Sequence, residues 1–340
     1  MPIDVAVIIG RWQILQNGHL TLLRTALATA PRVVVVIGSA WRARDAHNPF
    51  TWQERQQQFE TVLSAAERER IVFLPLRDYF DHERWNQAVR KGIHKVAGTG
   101  KVTIVGFKKD HTSFYLDEFP GWGLIEVEVE TQISASDLRR IYFEATDMSA
   151  ALTVIGNYVS PGVRGYLEAW AHLPAYRQCA AEHKAVEAYR RKYTAPFYLT
   201  ADSVVTSNDH VLLIKRGGTI GHGLWALPGG SLEPREQFFS AALRELAEET
   251  EYRPLRSRMT AACKSQAVFD HPARSPRGRI ITMAFHFDLG TEHLPEVRGT
   301  DDAAEARWTP IARLPRIEEQ LFEDHACILD HFLGLFPPED

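Results

Sequence analysis

The sequence contains few cysteines, only Cys179, Cys263 and Cys327 among 340 residues. The number is odd, the thiols are widely spaced, and no CxxC pair is present. A disulfide framework or a zinc knuckle needs paired or closely spaced cysteines. We therefore expect these residues to fill structure rather than to bind metal or form bridges.

Long hydrophobic runs are also missing. The longest apolar stretches, such as residues 33–37, have only a handful of residues, whereas a bilayer crossing needs about 20. The N-terminal residues include an acidic side chain, Asp4, and lack the basic flank and cleavage site of a secretory signal. We therefore expect no membrane as a partner and a cytoplasmic location.

An excess of positive charge is absent as well. The chain carries 39 Lys and Arg residues against 43 Asp and Glu residues, a formal net charge of −4. Because the basic residues are dispersed, the composition gives no general attraction to nucleic acid. Small anionic substrates would have to be bound by local groups. The composition leaves the oligomeric state open, a homo-oligomer included.

The chain is long enough for two hydrophobic cores, because single cores stop growing at about 250–300 residues. Residues 5–9 and 33–37 are apolar runs on either side of a stretch with helical spacing at 20–28. This is the pattern of a βαβ unit with parallel strands. Similar runs recur at residues 71–74, 102–105 and 125–129. The pattern predicts an α/β fold with a doubly wound, Rossmann-like sheet.

The second half of the chain has an α/β pattern of its own. Residues 148–192 are polar with helical spacing, which predicts the closing helices of the first domain and a connector. Strands and one strong helix follow at residues 197–205, 211–214, 236–249 and 280–287. We therefore predict an N-terminal domain over residues 1–183, a linker over 184–195, and an α/β/α domain with a mixed sheet over 196–340.

Three carboxylates share one face of the helix predicted over residues 236–249. Glu245, Glu248 and Glu249 stand at i, i+3 and i+4, so they lie within reach of one point. Such a run is most often a solvated acidic face. Here, however, like charges at these spacings repel, and carboxylates near a helix C-terminus oppose the helix dipole. Bound divalent cations would reverse both effects, and Arg244 is spaced to orient Glu248.

The complete pattern resembles the Nudix signature. Its positions in this chain are Gly230, Glu236, Arg244, Glu245, Leu246, Ala247, Glu248 and Glu249. The resemblance implies hydrolysis of a nucleoside diphosphate linked to another group. It also implies Mg²⁺, with Mn²⁺ as the alternative, bound by Glu245, Glu248, Glu249 and the backbone carbonyl of Gly229. One position departs, because Glu251 stands where the family has a left-handed glycine; that conformation costs another residue about 1 kcal/mol.

A basic segment downstream, residues 269–279, resembles the one found in Nudix enzymes that take ADP-ribose. Arg274 and Arg277 lie within it, and guanidinium groups suit phosphate recognition. A solvated basic loop is the alternative. The resemblance therefore predicts Arg274 and Arg277 as substrate-binding residues.

The first predicted βα turn has the features of an anion site. Backbone N–H groups at a helix start attract phosphate, and a glycine such as Gly10 lets the backbone approach closely. A second candidate segment follows a later strand. Ser134 and Asp137 predict a helix capping box, while Ser136 and Arg139 lie three apart on the same helix start.

Together the two segments resemble the HxGH and ISxTxxR motifs of adenylyl- and cytidylyltransferases. The resemblance implies that His19, Ser136 and Arg139 stabilise the charge that develops during transfer. It also implies nucleotide-binding positions at Gly10, Arg11, Gln13, Gln16, Gly18, Asn48, Lys109 and Ser134. Gln16 stands where the family has the first histidine of HxGH. Its amide still donates a hydrogen bond but carries no charge, which predicts weakened transfer.

The resemblance narrows to nicotinamide mononucleotide (NMN) adenylyltransferases of the archaeal type and to bacterial fusions of that domain with a Nudix domain. Trp85 and Asn86 match the family's nicotinamide-recognition pair, and residues 48–51, 106–110 and 115–122 also match. A cationic pyridinium is attracted to an indole face, and the Asn86 amide is suited to the carboxamide. A core tryptophan is the alternative for Trp85.

The resemblance implies NAD synthesis from NMN and ATP, together with hydrolysis of ADP-ribose to AMP and ribose 5-phosphate. A DNA-binding sensor of ADP-ribose or NAD is a competing function. It would need an added winged helix, but only 31 residues follow Thr309, and they are acidic rather than basic. A hydrolase whose N-terminal domain has become a nucleotide-binding module, through the change at Gln16, stays an open alternative.

Overall fold

The computed structural model describes residues 3–107, 118–128, 133–290 and 293–336. The chain divides into two compact units, Met1–His183 and Lys184–Asp340. None of the helices in the described ranges combines the length and apolarity that a bilayer crossing requires.

The first unit contains a five-stranded parallel sheet. Its strands are β1 (Val5–Gly10), β2 (Arg32–Ile37), β3 (Ile71–Pro75), β4 (Val102–Gly106) and β5 (Gly123–Glu126), in the order β3-β2-β1-β4-β5. In β2, every residue after Arg32 is buried, as expected for a strand covered on both faces. The predicted Rossmann-like α/β fold is confirmed. The strand order reverses between β1 and β4, and ligands bind at the carboxyl ends of strands at such a point.

Helices surround this sheet. They are α1 (Asn17–Thr29), α2 (Trp52–Glu60), α3 (Ala65–Arg68), α4 (His82–Ala97), α5 (Ala135–Phe143), α6 (Met148–Ile155), α7 (Pro161–Trp170) and α8 (Pro174–Lys192). Thr51 and Ser134 begin α2 and α5 with capping boxes, so the predicted box at Ser134 is confirmed. Helix α8 continues to Lys192, and most of the segment predicted as a linker is therefore helical.

The second unit contains a mixed sheet, as predicted. Its strands are β6 (Tyr198–Ser207), β7 (His210–Arg216), β8 (Trp225–Ala226), β9 (Gly229–Ser231), β10 (Cys263–Phe269), β11 (Ile280–Asp288) and β12 (Ala303–Pro310). The main order is β10-β11-β6-β7-β12, with β8 on β7 and β9 on β6. Only the β11–β6 pair is parallel among these described pairings.

Two further helices and one helical segment of the second unit accompany the predicted helix α9 (Phe238–Thr250). They are α10 (Arg256–Ala262), a 3-10 segment (Ile311–Gln320) and α11 (His325–Leu333). Helix α9 buries Ala241, Ala242 and Leu246 in the same cluster as Phe285 of β11, and Glu249 is buried beside them. The helix ends at Glu251, whose φ is 56°. The left-handed conformation expected from the family's glycine is therefore present.

Candidate active sites

The turn after β1 is shaped by close contact with an aromatic ring. A Cβ atom on Gly10 would lie 2.9 Å from the ring of Trp12, so the position requires glycine. Trp12 itself donates a hydrogen bond from its indole nitrogen to the carbonyl of Val36 in β2, at 2.8 Å. These contacts hold the turn at the carboxyl edge of the sheet. Gly18 lies just beyond, in the first turn of α1.

His19 belongs to the first turn of α1. Its Nδ1 accepts a hydrogen bond from the backbone N–H of Gln16 at 3.2 Å, and its ring packs edge-on against Trp12 with centroids 5.0 Å apart. Burial lowers the pKa of His19 to about 4, although a hydrogen bond with the backbone of Ile14 acts in the opposite direction. The ring is therefore neutral at pH 7. Because Nδ1 accepts, its proton is on Nε2, which makes Nε2 a hydrogen-bond donor.

Two buried arginines lie close to this turn. Arg139 donates to the carbonyl of Gln13 at 2.8 Å and to the hydroxyl of Ser136 at 3.0 Å. Arg55 donates to backbone carbonyls of Thr51, Arg11, Gly38 and Ser39. In the described part of the chain, neither arginine has a carboxylate within ion-pair distance.

The electrostatics of these arginines favour an anion. Burial lowers the pKa of Arg55 to about 9 and that of Arg139 to about 10, and the charge of the exposed Arg11 acts in the same direction on both. The charge of Asp78 on Arg55 and that of Asp45 on Arg139 act in the opposite direction. Both arginines remain charged at pH 7. A nearby phosphate would relieve this accumulation of positive charge.

Glu54 and Arg55 match the archaeal-type family in sequence, but Arg55 is not among the predicted site residues. Its contacts with the carbonyls of Arg11 and Gly38 join segments that are far apart in the chain.

Several other predicted nucleotide-binding side chains maintain the local fold. The amide of Gln13 donates to and accepts from the backbone of Phe50, both at 3.0 Å. The hydroxyl of Ser134 accepts from the backbone N–H of Asp137 and donates to its carboxylate. The polar groups of these two side chains are thus already engaged within the protein, and their contact with a nucleotide stays a prediction.

Gln16 and Asn48 differ from that pair. Each is buried, and Oε1 of Gln16 and Oδ1 of Asn48 have no hydrogen-bond partner among the described residues. An unsatisfied buried acceptor costs about 1–3 kcal/mol. Both oxygens are thus suited to a donor that arrives with a ligand. Lys109 lies outside the described residues.

The predicted nicotinamide pair is on α4. Trp85 is half-buried and packs with the core cluster that contains Phe119, at a centroid distance of 6.2 Å. The side-chain nitrogen of Asn86 donates to the carboxylate of Glu118. Its Oδ1 is buried and has no partner in the described ranges.

In the second unit, Arg244 gathers the acidic side chains of the Nudix helix. Its guanidinium lies 2.9 Å from Glu236, 2.8 Å from Glu245 and 3.0 Å from Glu248. The predicted contact between Arg244 and Glu248 is therefore present. Hydrogen bonds, led by that to Glu236, raise the pKa of Arg244.

The fourth carboxylate, Glu249, turns the other way. It is only 4% exposed, and its Oε2 accepts the backbone N–H of Gly229 at 2.9 Å. Burial raises the pKa of Glu249 to about 8; the Gly229 hydrogen bond opposes this shift, and the charge of Glu245 adds to it. Within the described ranges, no three acidic, histidine or cysteine side chains converge on one point. The predicted carboxylate ligands thus lie along α9 without converging on one point, because Glu245 and Glu248 contact Arg244 whereas Glu249 contacts the backbone of Gly229.

These residues nevertheless fit a divalent cation. Burial also raises the pKa of Glu245, against the effect of Arg244, and buried carboxylates need a cation to stay ionised. A Cβ atom on Gly230 would lie 2.4 Å from Oε1 of Glu245, so glycine leaves the space beside the carboxylate open. The donors are all oxygen, which Mg²⁺ and similar ions prefer.

Arg274 and Arg277, the predicted phosphate-binding residues, are both engaged in ion pairs within the protein. Arg274 forms a two-point ion pair with Asp324, in which both hydrogen bonds measure 2.8 Å and both side chains are buried. Arg277 pairs in the same way with Glu323, at 2.8–2.9 Å. Their charges are neutralised inside the protein. The partners lie 50 and 46 residues away in sequence, so the local pattern did not reveal them.

Arg216, at the end of β7, is a candidate that the sequence did not indicate. Its guanidinium lies 4.1 Å from the centre of the Phe322 ring, and its Nε donates to the carbonyl of Ile220. Burial lowers the pKa of Arg216, while the charges of Glu323 and Glu249 act in the opposite direction. No ion pair to Arg216 occurs within the described residues. It is therefore better suited than Arg274 to meet an anionic ligand.

Comparisons with known proteins agree with this division. A cytidylyltransferase-like domain matches residues 7–141 and a NUDIX domain matches residues 197–332. A crystal structure from Francisella tularensis, a bifunctional NMN adenylyltransferase/ADP-ribose pyrophosphatase complexed with AMP and a manganese ion, matches 98% of this chain and 99% of its own, with 31% identity and a TM-score of 0.89. The chain belongs to this bifunctional family.

Two relatives match the halves of this bifunctional chain separately. A nicotinamide/nicotinic acid mononucleotide adenylyltransferase from Acinetobacter baylyi is 28% identical over 184 residues, which is 54% of this chain and 94% of the relative. An ADP-ribose pyrophosphatase from Methanocaldococcus jannaschii is 31% identical over 131 residues, which is 37% of this chain and 72% of the relative.

Proposed function

We propose that the first unit makes NAD and pyrophosphate from NMN and ATP, and that the second unit hydrolyses ADP-ribose to AMP and ribose 5-phosphate. One observation carries the proposal. The first unit holds arginines and a histidine that suit anions, whereas the second unit holds carboxylates that suit a cation. The full-length likeness to the Francisella protein supports the same two activities. NMN, ATP, NAD and ADP-ribose are thus the proposed ligands.

In the transferase, the phosphate of NMN attacks the α-phosphorus of ATP, and pyrophosphate leaves. No protein nucleophile is needed, so catalysis rests on positioning and on neutralising charge. His19 donates its Nε2 proton in a hydrogen bond to the phosphates, and Arg139 supplies positive charge beside them. Ser136 accepts from Arg139 at 3.0 Å and thereby orients its guanidinium.

In the hydrolase, Glu245, Glu248, Glu249 and the carbonyl of Gly229 would hold Mg²⁺ or Mn²⁺. When bound, such a cation polarises a diphosphate and lowers the pKa of an attacking water. Helix α9 carries the three carboxylates on one rigid element, and Gly229 begins the neighbouring strand β9. Arg244 contributes by holding Glu236 and Glu248 to the same side of α9.

A hydrolase with only a nucleotide-binding module in front is the second candidate. It rests on Gln16, an uncharged residue where the family has histidine. The full-length likeness to a bifunctional protein does not favour it. We further propose that the protein is cytoplasmic. The proposed function is compatible with a monomer and with a homo-oligomer.

The deciding experiment incubates the purified protein with Mg²⁺, ATP and NMN, and separately with Mg²⁺ and ADP-ribose, and resolves the nucleotides. The proposal expects NAD in the first reaction and AMP in the second, with AMP abolished by a chelator. Absence of NAD, with AMP still formed, would favour the hydrolase-only candidate. In that case Gln16→His tests whether the missing histidine accounts for the loss.

A further inference from the structure

We infer that Glu118 is a positioning residue that makes the mononucleotide site select a carboxamide over a carboxylate, because it fixes which way the amide of Asn86 faces. The inference rests on the proposed transferase function. It concerns the choice between NMN and nicotinic acid mononucleotide, which differ only in that one group.

The orientation of Asn86 follows from its partner. Its side-chain nitrogen donates to the carboxylate of Glu118, 32 residues later in the chain. An ionised carboxylate has no proton to donate, so only the NH₂ end of the amide can face it. The carbonyl end is therefore turned away from Glu118. That oxygen, Oδ1, is buried and has no hydrogen-bond partner in the described ranges.

A buried acceptor without a donor distinguishes between the two mononucleotides. The NH₂ group of a nicotinamide carboxamide can donate to Oδ1 and remove the penalty of about 1–3 kcal/mol. The carboxylate of nicotinic acid has no proton to donate and would place one acceptor against another. With 1.4 kcal/mol per factor of ten, we expect about a tenfold to hundredfold preference for the carboxamide.

The segment that carries Glu118 is fixed to the same helix. Arg90 lies one turn after Asn86 on α4 and donates to the backbone carbonyl of Glu118 at 3.2 Å. Its guanidinium also lies 5.2 Å and 5.5 Å from the rings of Phe119 and Trp122. Those two rings stack on each other at 4.6 Å. The carboxylate is thus positioned before any ligand arrives, which is the condition for orienting Asn86 reliably.

The test is Glu118→Gln. A glutamine accepts or donates, so the Asn86 amide becomes free to turn and offer its NH₂ group to a carboxylate. Calorimetric titration with NMN and with nicotinic acid mononucleotide gives the affinity ratio, and steady-state kinetics with ATP gives the kcat/KM ratio. We expect the preference for NMN to fall at least tenfold, mainly through KM, with an unchanged melting temperature.

Two further variants sharpen the test. Glu83→Gln removes a charge from an exposed position on the same helix, where the carboxylate accepts from Gln87, and should leave the preference unchanged. The double variant Asn86→Asp with Glu118→Gln exchanges the two groups while conserving charge. It again presents only an acceptor at position 86, so the preference should return.

The outcomes separate this inference from the proposed function. An unchanged ratio in Glu118→Gln, or equal losses for both mononucleotides, overturns the role of Glu118 while NAD synthesis stands. Preferential NMN binding that Glu118→Gln abolishes, without any NAD formed, supports the inference and removes the transferase. If neither mononucleotide binds the native protein, both are overturned.

Discussion

The two sites of this chain treat buried charge in opposite ways. In the first unit, Arg55 and Arg139 are held by backbone carbonyls and a hydroxyl, so neither forms an ion pair within the described residues, although the charges of Asp78 and Asp45 act on them from farther away. In the second unit, Arg244 and Arg274 are held by carboxylates. The buried group that forms no ion pair among the described residues is there the carboxyl of Glu249, whose pKa burial raises to about 8. The groups that hold a buried ion therefore indicate the sign of the partner that it lacks. One site lacks an anion and the other lacks a cation.

We expect the largest effect when negative charge is removed from the site in the second unit. Replacing Glu248 or Glu249 by Gln should lower ADP-ribose hydrolysis at least about 100-fold, because a metal ligand loses its charge. NAD synthesis should be unchanged. Both rates are measured on the same preparation, with Glu305→Gln, an exposed position, as the control. Parallel loss of both activities would contradict the assignment of the sites to separate units.

His19 provides the corresponding test in the first site. His19→Ala should cut the rate of NAD formation by about 100-fold, since a preorganised donor near the developing charge is lost. His19→Asn removes the Nε2 donor but keeps an acceptor for the backbone N–H of Gln16. We expect the same loss of rate in both variants, with a lower melting temperature only for the alanine. Preserved activity per folded molecule would give His19 a purely structural role.

Acid should weaken the second unit through a histidine that cannot take up a proton. His325 accepts the backbone N–H of Leu227 at 2.8 Å, and burial, assisted by the charge of Arg274, lowers the pKa of His325 to about 3. The unfolded chain binds this proton near pH 6.5 while the folded protein does not. The free energy of unfolding therefore falls as pH drops below about 6.5, by about 1.4 kcal/mol per unit for this group.

His325→Asn isolates that contribution, because the asparagine oxygen can still accept from Leu227 without titrating. Urea unfolding at intervals between pH 7 and 5 should show a shallower slope in the variant than in the native protein. Equal slopes would mean that other groups produce the acid sensitivity. Burial raises the pKa of Glu249 to about 8 and that of Asp202 to about 6, so both carboxyls also contribute in this window, with the opposite sign. They are present in the native protein and in the variant alike, so the difference between the two slopes reports His325.

The smallest effect concerns the end of α9. Glu251 holds a left-handed conformation with φ of 56°, so Glu251→Gly should raise the free energy of unfolding by up to about 1 kcal/mol. The greater freedom of glycine in the unfolded chain offsets part of the gain. Glu251→Ala removes the charge without relieving the backbone and serves as the control. A larger gain in the alanine variant would assign the effect to charge instead.

The fold could be predicted wherever apolar runs were continuous. The valines of β2 and the strand β11 were located closely because burial on both faces leaves little polar interruption. Strands β10 and β12 were missed, since exposed residues such as Lys264, Gln266 and Glu305 interrupt their apolar pattern. Pairing with β11 and β7, distant in sequence, determines these strands.

The sites show the same limit. The spacing of Glu245, Glu248 and Glu249 on one helix is local, so the sequence predicts it directly. The ion pair of Arg274 with Asp324 and the carbonyl contacts of Arg55 join segments that are far apart in the chain. A motif indicates which residues are close along a helix, whereas burial and partner choice depend on the folded chain.

The ion pairs of Arg274 with Asp324 and of Arg277 with Glu323 also constrain how this sequence can change over evolutionary time. Removing one member of a buried pair leaves an uncompensated charge that costs about 3–5 kcal/mol, whereas replacing both by apolar residues can be nearly neutral. Single substitutions at these four positions are therefore strongly selected against. The positions should change as two linked pairs, and each pair should be lost or kept as a unit in descendants of this chain.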